Sequence, residues 1–288
     1  MNNYGETIKK IRVGKGFSQK YVSNNICTQG NFSKFELGEN KDIKHSTLSE
    51  FLVRIETSYE EFRYIDNGYT MPLRDEIINN FYNQTYNNSE KLLQLQQSCI
   101  SFLKEFPEDK LINKINIIIK SLAILANTND IHYAKLLAEP IWEELSRRDN
   151  LYLSDIFLLN SILYIFPIET AVEMKTFAFR HIEKYKNFQN INRIKINFLI
   201  NLSLLYLKNN DYNMALKQLE NSIELCKIEK HFINLSICYI RKGICLNNMG
   251  KCGLYWSHKG MNMLEVLDQF DLLSILKTEV EKYSNYIV

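Results

Sequence analysis

From about residue 74 onward the chain repeats one pattern, an apolar-periodic segment of several helical turns followed by a break of a few polar residues. The segments run at roughly 74–88, 90–106, 109–127, 131–147, 150–165, 168–187, 191–209, 212–229, 231–249, 252–268 and 271–286. Apolar residues returning every three or four positions make one face of a helix. Only four prolines and ten glycines interrupt 288 residues, and period-two alternation is scarce. An all-α chain is therefore predicted. At this length two domains are expected. Asn67-Gly68-Tyr69-Thr70-Met71-Pro72 joins Gly and Pro signals and is read as a linker, 67–72, between domains 1–66 and 73–288.

The first domain centres on Ser18 to Gly38. Ser18 suits the cap of a helix starting at Gln19, with Phe17 and Val22 placed as a hydrophobic staple, and Thr28 repeats the arrangement with Cys27 and Phe32. Asn24-Asn25 lies between the two helices, and asparagine tolerates the left-handed conformation of a sharp turn. Phe32 and Phe35 share one face of the second helix, which leaves Gln29, Gly30, Asn31, Ser33 and Lys34 on the others. Gly38 suits a helix C-terminus, Ser46 is read as the cap of a fourth helix and Ser58 as the cap of a fifth. Residues 1 to 44 carry eight Lys/Arg against four acids, although the whole chain has a net charge of only +2. That local excess is what phosphate contacts require.

In the second domain, Leu199, Leu202, Ser203, Tyr206, Asp211, Tyr212, Ala215, Leu219 and Ser222 stand at tetratricopeptide spacing, with Ser203, Ala215 and Ser222 where paired helices approach closely. Ala134, Ala171, Ala215 and Ser257 are read as equivalent positions of successive second helices, 37, 44 and 42 residues apart. Stacked pairs leave a concave surface lined by first helices, which suits an extended peptide. Aligning the pairs puts Lys120, Asn160, Asn201 and Arg241 at one first-helix position, supported by Phe-Leu-Leu-Asn at 157–160 against Phe-Leu-Ile-Asn at 198–201. Asn116 and Asn197 lie one turn earlier. Asparagine offers donor and acceptor together and so can grip a peptide backbone, Lys120 or Arg241 can hold a carboxylate, and Phe157, Leu159, Leu163, Ile200 and Leu204 supply apolar pockets. The alternative is that these asparagines, in a chain rich in them, bond helix to helix. Leu272, Leu273, Leu276, Val280 and Tyr283 form a stripe on the last helix, which either covers its neighbour or meets a second copy.

The first domain resembles the Xre-type helix-turn-helix, and the whole chain resembles the Rgg/MutR branch of peptide-responsive regulators. Gly5, Ile8, Ile11, Arg12, Ser18, Val22, Ser33, Phe35, Glu36, Gly38, Leu48, Ile55, Ser58, Glu61 and Phe62 carry the resemblance. It implies a five-helix DNA-binding domain followed by a right-handed superhelix of tetratricopeptide-like pairs. Arg12 and Glu36 are then expected to form a structural ion pair. Gln29, Asn31 and Lys34 are expected to face base edges with Ser33 near the backbone, and Gln19, Lys41 and Lys44 to hold phosphates. The resemblance further implies a cytoplasmic homodimer that reads a two-fold site on double-stranded DNA and senses a short signalling peptide. Alternatives are a regulator whose repeats bind a protein partner, and a pure interaction scaffold.

Six cysteines form no C-x-x-C pair and are read as reduced thiols, mostly buried. No phosphate loop, nucleophile elbow or zinc-protease motif is present, and the five histidines are scattered. Catalysis, a cofactor and a metal site are not expected. Nor is a signal peptide, and no apolar run is read as reaching the length of a membrane span.

Overall fold

The computed structural model describes residues 4–40, 42–83, 89–188 and 191–284. Among them are sixteen α-helices, two short 3-10 turns and no strand. Contacts divide the chain into two compact units, Met1–Asn79 and Asn80–Val288. The division falls inside α6 (Leu73–Tyr82), so residues 67–72 lie with the first unit.

The first unit contains α1 (Tyr4–Gly14), α2 (Gln19–Ser23), α3 (Gln29–Glu36), α4 (His45–Arg54) and α5 (Tyr59–Asp66). Its starts and stops are set by local chemistry. The hydroxyls of Ser18, Thr28 and Ser58 accept from the backbone N–H of Tyr21, Asn31 and Glu61 at 3.1, 3.2 and 3.1 Å. Asn25 takes φ 58° in the turn between α2 and α3. At the end of α3, Gly38 has φ 74°, and the N–H groups of Gly38 and Glu39 return to the carbonyls of Phe35 and Lys34. This satisfies two carbonyls that the helix end would leave open. One cap differs from expectation: α4 begins at His45 with Lys44 at its N-cap and no side-chain cap bond, so Ser46 lies inside the helix.

Ile8, Ile11, Val22, Phe32, Phe35, Leu48, Phe51, Leu52, Ile55 and Phe62 form the first unit's core. Phe32 meets Phe51 edge to face with centroids 4.7 Å apart. Gly5 is where α1 crosses α3, and a Cβ placed there would lie 1.8 Å from the Phe35 carbonyl oxygen. Only glycine allows that approach. Lys15 reaches the far end of α4, where its ammonium donates to the carbonyls of Ile55 (3.0 Å) and Glu56 (2.6 Å). A cation there complements the negative end of the helix.

The second unit continues through α7 (Ser89–Glu105), α8 (Lys110–Thr128), α9 (Ile131–Ser146), α10 (Leu153–Ile162), α11 (Ile168–Ile182), α12 (Ile191–Lys208), α13 (Tyr212–Ile228), α14 (Phe232–Asn248), α15 (Leu254–Val266) and α16 (Phe270–Tyr283). With α6, these are the eleven helices that the sequence predicts beyond residue 72. From α7 onward helices adjacent in sequence pack on one another, and α12 also meets α10 and α14, so first helices stand side by side. Five of the connections share one device. Asn129, Asn210, Lys230, Gly250 and Asp268, each just past a helix end, take φ between 53° and 71°.

Ala134, Ala171, Ala215 and Ser257, aligned from sequence, are all fully buried. Gly243 and Gly260 bring α14 and α15 closer still: a Cβ on Gly243 would lie 2.0 Å from the Ser257 hydroxyl, and one on Gly260 2.6 Å from the Ser236 carbonyl. The last helix, α16, buries Leu272, Leu273, Leu276 and Val280 against α14 and α15.

Two sequence readings meet the structure differently. The 19-residue α8 is long and apolar enough to cross a membrane by length and composition, contrary to expectation. Its isoleucines 112, 115, 118 and 119 are fully buried, so that stripe serves the core, while Ile117 is exposed. The cysteines are free, with Cys99, Cys226, Cys238 and Cys245 buried. Burial pushes the Cys99 and Cys245 thiols up to about 12.

Gly5 in α1 and Gly30 in α3 give opposite predictions. Gly5→Ala should cost about 3 kcal/mol, because backbone must move. Gly30→Ala, where a Cβ meets nothing within 4 Å, should gain about 0.5–1 kcal/mol. Urea-dependent amide exchange of the α1 and α3 N–H groups in the full chain measures both.

Candidate functional site

On α3 the apolar face is spent on the core and the polar face is left open. Phe32, Phe35 and Glu36 are buried, Gln29, Gly30, Asn31 and Lys34 are exposed, and Ser33 is half-buried. The only carboxylate on this helix, Glu36, faces inward, and Arg12 grips it with Nε–Oε1 at 2.6 Å and Nη2–Oε2 at 2.9 Å. Arg12 Nη1 donates to the Phe17 carbonyl at 2.7 Å, which ties α1, the start of α2 and α3 together. This is the ion pair expected from sequence. Its effect is to neutralise the one acid of α3 inside the unit, leaving an outer face of two amides and a cation.

Gln19 is more committed than the sequence suggests. Its Nε2 donates to Glu36 Oε2 at 2.8 Å, which fixes the amide against α3. Lys44 is exposed at the start of α4, and Lys41 lies outside the described residues.

In the second unit, α10, α12, α14, α16 and the end of α6 enclose a groove of about 280 Å³. Of the residues predicted for a ligand, the structure brings Phe157, Asn160, Asn197, Asn201 and Arg241 together there. Asn116 and Lys120 do not line it. Lys120 is exposed on α8, and the Asn116 side-chain oxygen is buried with no hydrogen-bond partner.

The aligned asparagines do bond helix to helix. Asn201 Nδ2 donates to the Asn160 carbonyl at 3.2 Å and approaches Asn160 Oδ1 at 3.4 Å. Asn197 Oδ1 accepts from Asn234 Nδ2 at 2.9 Å. These bonds use half of each amide. Among the described residues the Nδ2 groups of Asn160 and Asn197 and the Oδ1 of Asn201 make no hydrogen bond, and all three residues line the groove, so it has donors and an acceptor to offer.

Arg241 departs furthest from its expected role. It is buried, its Nε and Nη2 donate to the two carboxylate oxygens of Glu279 at 2.6 and 3.0 Å, and Nη1 donates to the Ile200 carbonyl at 3.0 Å. Burial works against the charge, yet Glu279 more than offsets it and holds the guanidinium above its usual pKa. The carboxylate that Arg241 was expected to take from a ligand is supplied by α16.

Sequence reasoning missed the groove's far wall. Leu272, Ile275, Leu276 and Glu279 line it from α16, Tyr164 and Ser161 from the α10 end, and Phe81 and Tyr82 from α6. The Tyr82 ring stacks on Phe157 with centroids 3.9 Å apart. A signal was present in the spacing of residues 272, 275, 276 and 279 along one helix face, which overlaps at Leu272 and Leu276 the stripe that holds α16 to its neighbours.

No family profile and no curated protein sequence matches this chain. Solved structures do. A candidate transcriptional regulator from Listeria monocytogenes EGD-e superposes with a TM-score of 0.77 at 17% identity, covering 98% of this chain and 97% of the other. Bacillus thuringiensis PlcR, solved with the peptide PapR7 and DNA, gives 0.67 at 16% identity over 96% and 99%. The Streptococcus dysgalactiae SHP pheromone receptor Rgg2 gives 0.65 at 17% identity over 97% and 99%. The likeness spans both units, and at these identities it is a likeness of fold.

The Arg241–Glu279 pair has a measurable signature. Arg241→Met should cost about 3–5 kcal/mol by stranding the Glu279 carboxylate, whereas Arg241→Met/Glu279→Leu should cost much less. Thermal unfolding of the wild type, both single variants and the double variant gives the cycle.

Proposed function

We propose that this chain is a sequence-specific DNA-binding transcriptional regulator controlled by a short peptide bound in the groove of its second unit. It reads a two-fold site on double-stranded DNA as a homodimer in the cytoplasm, and its work is binding, without catalysis. The observation that carries the reading is the pairing of two surfaces in one chain. Gln29, Asn31 and Lys34 stand exposed on the second helix of a helix-turn-helix, and a groove in the repeat unit offers open amides between apolar walls. Each surface suits one ligand chemically. Glutamine and asparagine match the N6/N7 edge of adenine, and lysine donates to the O6/N7 edge of guanine. Amide groups match peptide bonds whatever the side chains are, while Phe157, Ile200, Leu204 and Ile237 take apolar side chains.

Support comes also from PlcR, which shares the fold over nearly the whole chain and was solved with a peptide and DNA together. Control requires that the peptide bind one arrangement of the helices more tightly than another. The groove is bordered by α10, α12, α14 and α16, so a peptide lying along it touches three first helices and the terminal one at once. A change in their spacing is the proposed output.

Selection of DNA fragments from the chain's own promoter region, followed by titration, tests the first half. Gln29→Ala and Lys34→Ala should each weaken the selected site by roughly tenfold, as losing one base contact of about 1–3 kcal/mol implies. Calorimetry with short apolar peptides encoded beside the gene tests the second. Asn160→Ala and Asn201→Ala should weaken peptide binding while leaving DNA affinity in the absence of peptide unchanged. A chain that selects no DNA sequence, or whose DNA affinity is indifferent to every such peptide, would sink the corresponding half.

A further inference from the structure

Along α15 runs an opening that shares no lining residue with the amide-lined groove. It is an apolar trough of about 650 Å³, within the size range of small-molecule sites. Its α15 wall is held without slack, because a Cβ on Gly260 would already lie 2.6 Å from the Ser236 carbonyl oxygen of α14. The same contacts set direction. Gly243 faces Ser257 and Ser236 faces Gly260, so the two helices run antiparallel and Phe232, at the start of α14, stands beside the C-terminal half of α15.

The two ends of the trough differ in chemistry. Phe232, Met263, Val266 and Leu267 make one end apolar. Val266 is 83% exposed and Phe232 50%, and large side chains this open, gathered along one trough, mark a binding surface more often than a solvated one. Toward the start of α15, His258, Lys259 and Asn262 carry the polar atoms, each able to donate. The Lys259 ammonium rests on rings rather than on an acid, 5.0 Å from the Tyr239 centroid and 5.6 Å from those of Tyr255 and Trp256. Among the described residues no carboxylate lines the trough and Lys259 has no ion-pair partner. Glu265, the acid that follows it on the same helix, lies six residues on, about 9 Å along the axis.

A ligand matched to both ends carries an anion at one end and an apolar chain at the other. We propose that the trough binds an aliphatic monocarboxylate, its carboxylate on the Lys259 ammonium and the Asn262 amide, its chain along Met263, Val266 and Leu267 toward Phe232. From Lys259 to Leu267 is about 12 Å of helix, which leaves room for a chain and not merely for a small anion. The rings under Lys259 keep water from one side of the ammonium, and a charge-assisted hydrogen bond strengthens where water is excluded. A cationic amphiphile would meet Lys259 as a like charge, and a neutral one would leave it unused. A peptide fits less well, because so few polar atoms line the trough that its backbone groups would be covered without partners. The site needs neither the DNA half nor the peptide half of the functional reading.

Calorimetry of the full chain with decanoate below its micellar range, without DNA or peptide, tests it. Decanoate should bind with a Kd of about 100 μM or tighter, and decanol and decyltrimethylammonium about tenfold more weakly or worse. Lys259→Met, which keeps the apolar stem and removes the charge, should weaken decanoate about tenfold and leave decanol unchanged. Val266→Asp, which sets a carboxylate at the apolar end, should weaken both. The chain has two tryptophans, and Trp256 is the one that touches Lys259, so in a Trp142→Phe background its emission should follow the same titration. Circular dichroism confirms that the variants stay folded. No decanoate binding at millimolar concentration, decanol binding as tightly as decanoate, or decanoate affinity indifferent to Lys259→Met or to Val266→Asp would each overturn the proposal.

Discussion

Both units depend on how closely two helices can approach. In the first, the Phe35 carbonyl occupies the space that a side chain at Gly5 would need, so α1 lies directly on the end of α3. In the second, Ala134, Ala171, Ala215 and Ser257 place a small buried residue on each of four second helices, and Gly243 and Gly260 tighten the α14–α15 contact. Close approach brings backbone and side-chain polar atoms within hydrogen-bonding reach. That is why Ser121 can donate to the Ala134 carbonyl at 2.6 Å in a buried site, and why Arg12, carried by α1, meets Glu36 on α3. Large side chains at these positions would push the helices apart and leave those groups unsatisfied.

The fold was legible because its determinants are local. Caps at Ser18, Thr28 and Ser58, the left-handed Asn25 and Gly38, and apolar periodicity all act within a few residues, and each appears in the structure where the sequence predicts it. The exception at α4 is instructive. Ser46 has the right chemistry for a cap, but the helix starts two residues earlier than that cap requires, at His45, whose ring meets Tyr59 with centroids 5.6 Å apart.

The groove was only half legible, since alignment of repeats locates equivalent positions but not the partners that reach them from elsewhere. Asn160 and Asn201 were placed correctly as neighbours, yet nothing local foretells that Glu279, 38 residues beyond Arg241, folds back to claim the guanidinium. Likewise Asn129 and Asn210 belong to the chain's richness in asparagine, but they serve as left-handed turn residues, a role independent of any ligand. Lys120 and Asn116 failed to reach the groove for a related reason. The α8 pair is adjacent to α10 in the stack, but the groove floor begins one pair later, and α8 contributes only Leu122 to it.

The closure of Arg241 by Glu279 has a consequence for how the two proposed ligands answer to ionic strength. The groove floor carries a cation already neutralised at 2.6 Å, so a peptide bound there as proposed would be held by amides and apolar area, which added electrolyte hardly alters. The first unit would work the other way if it binds DNA as proposed, because each lysine that neutralises a phosphate displaces counterions and weakens as electrolyte rises. A cell's osmotic state would then retune the hold on the promoter while leaving reception of the signal as it was.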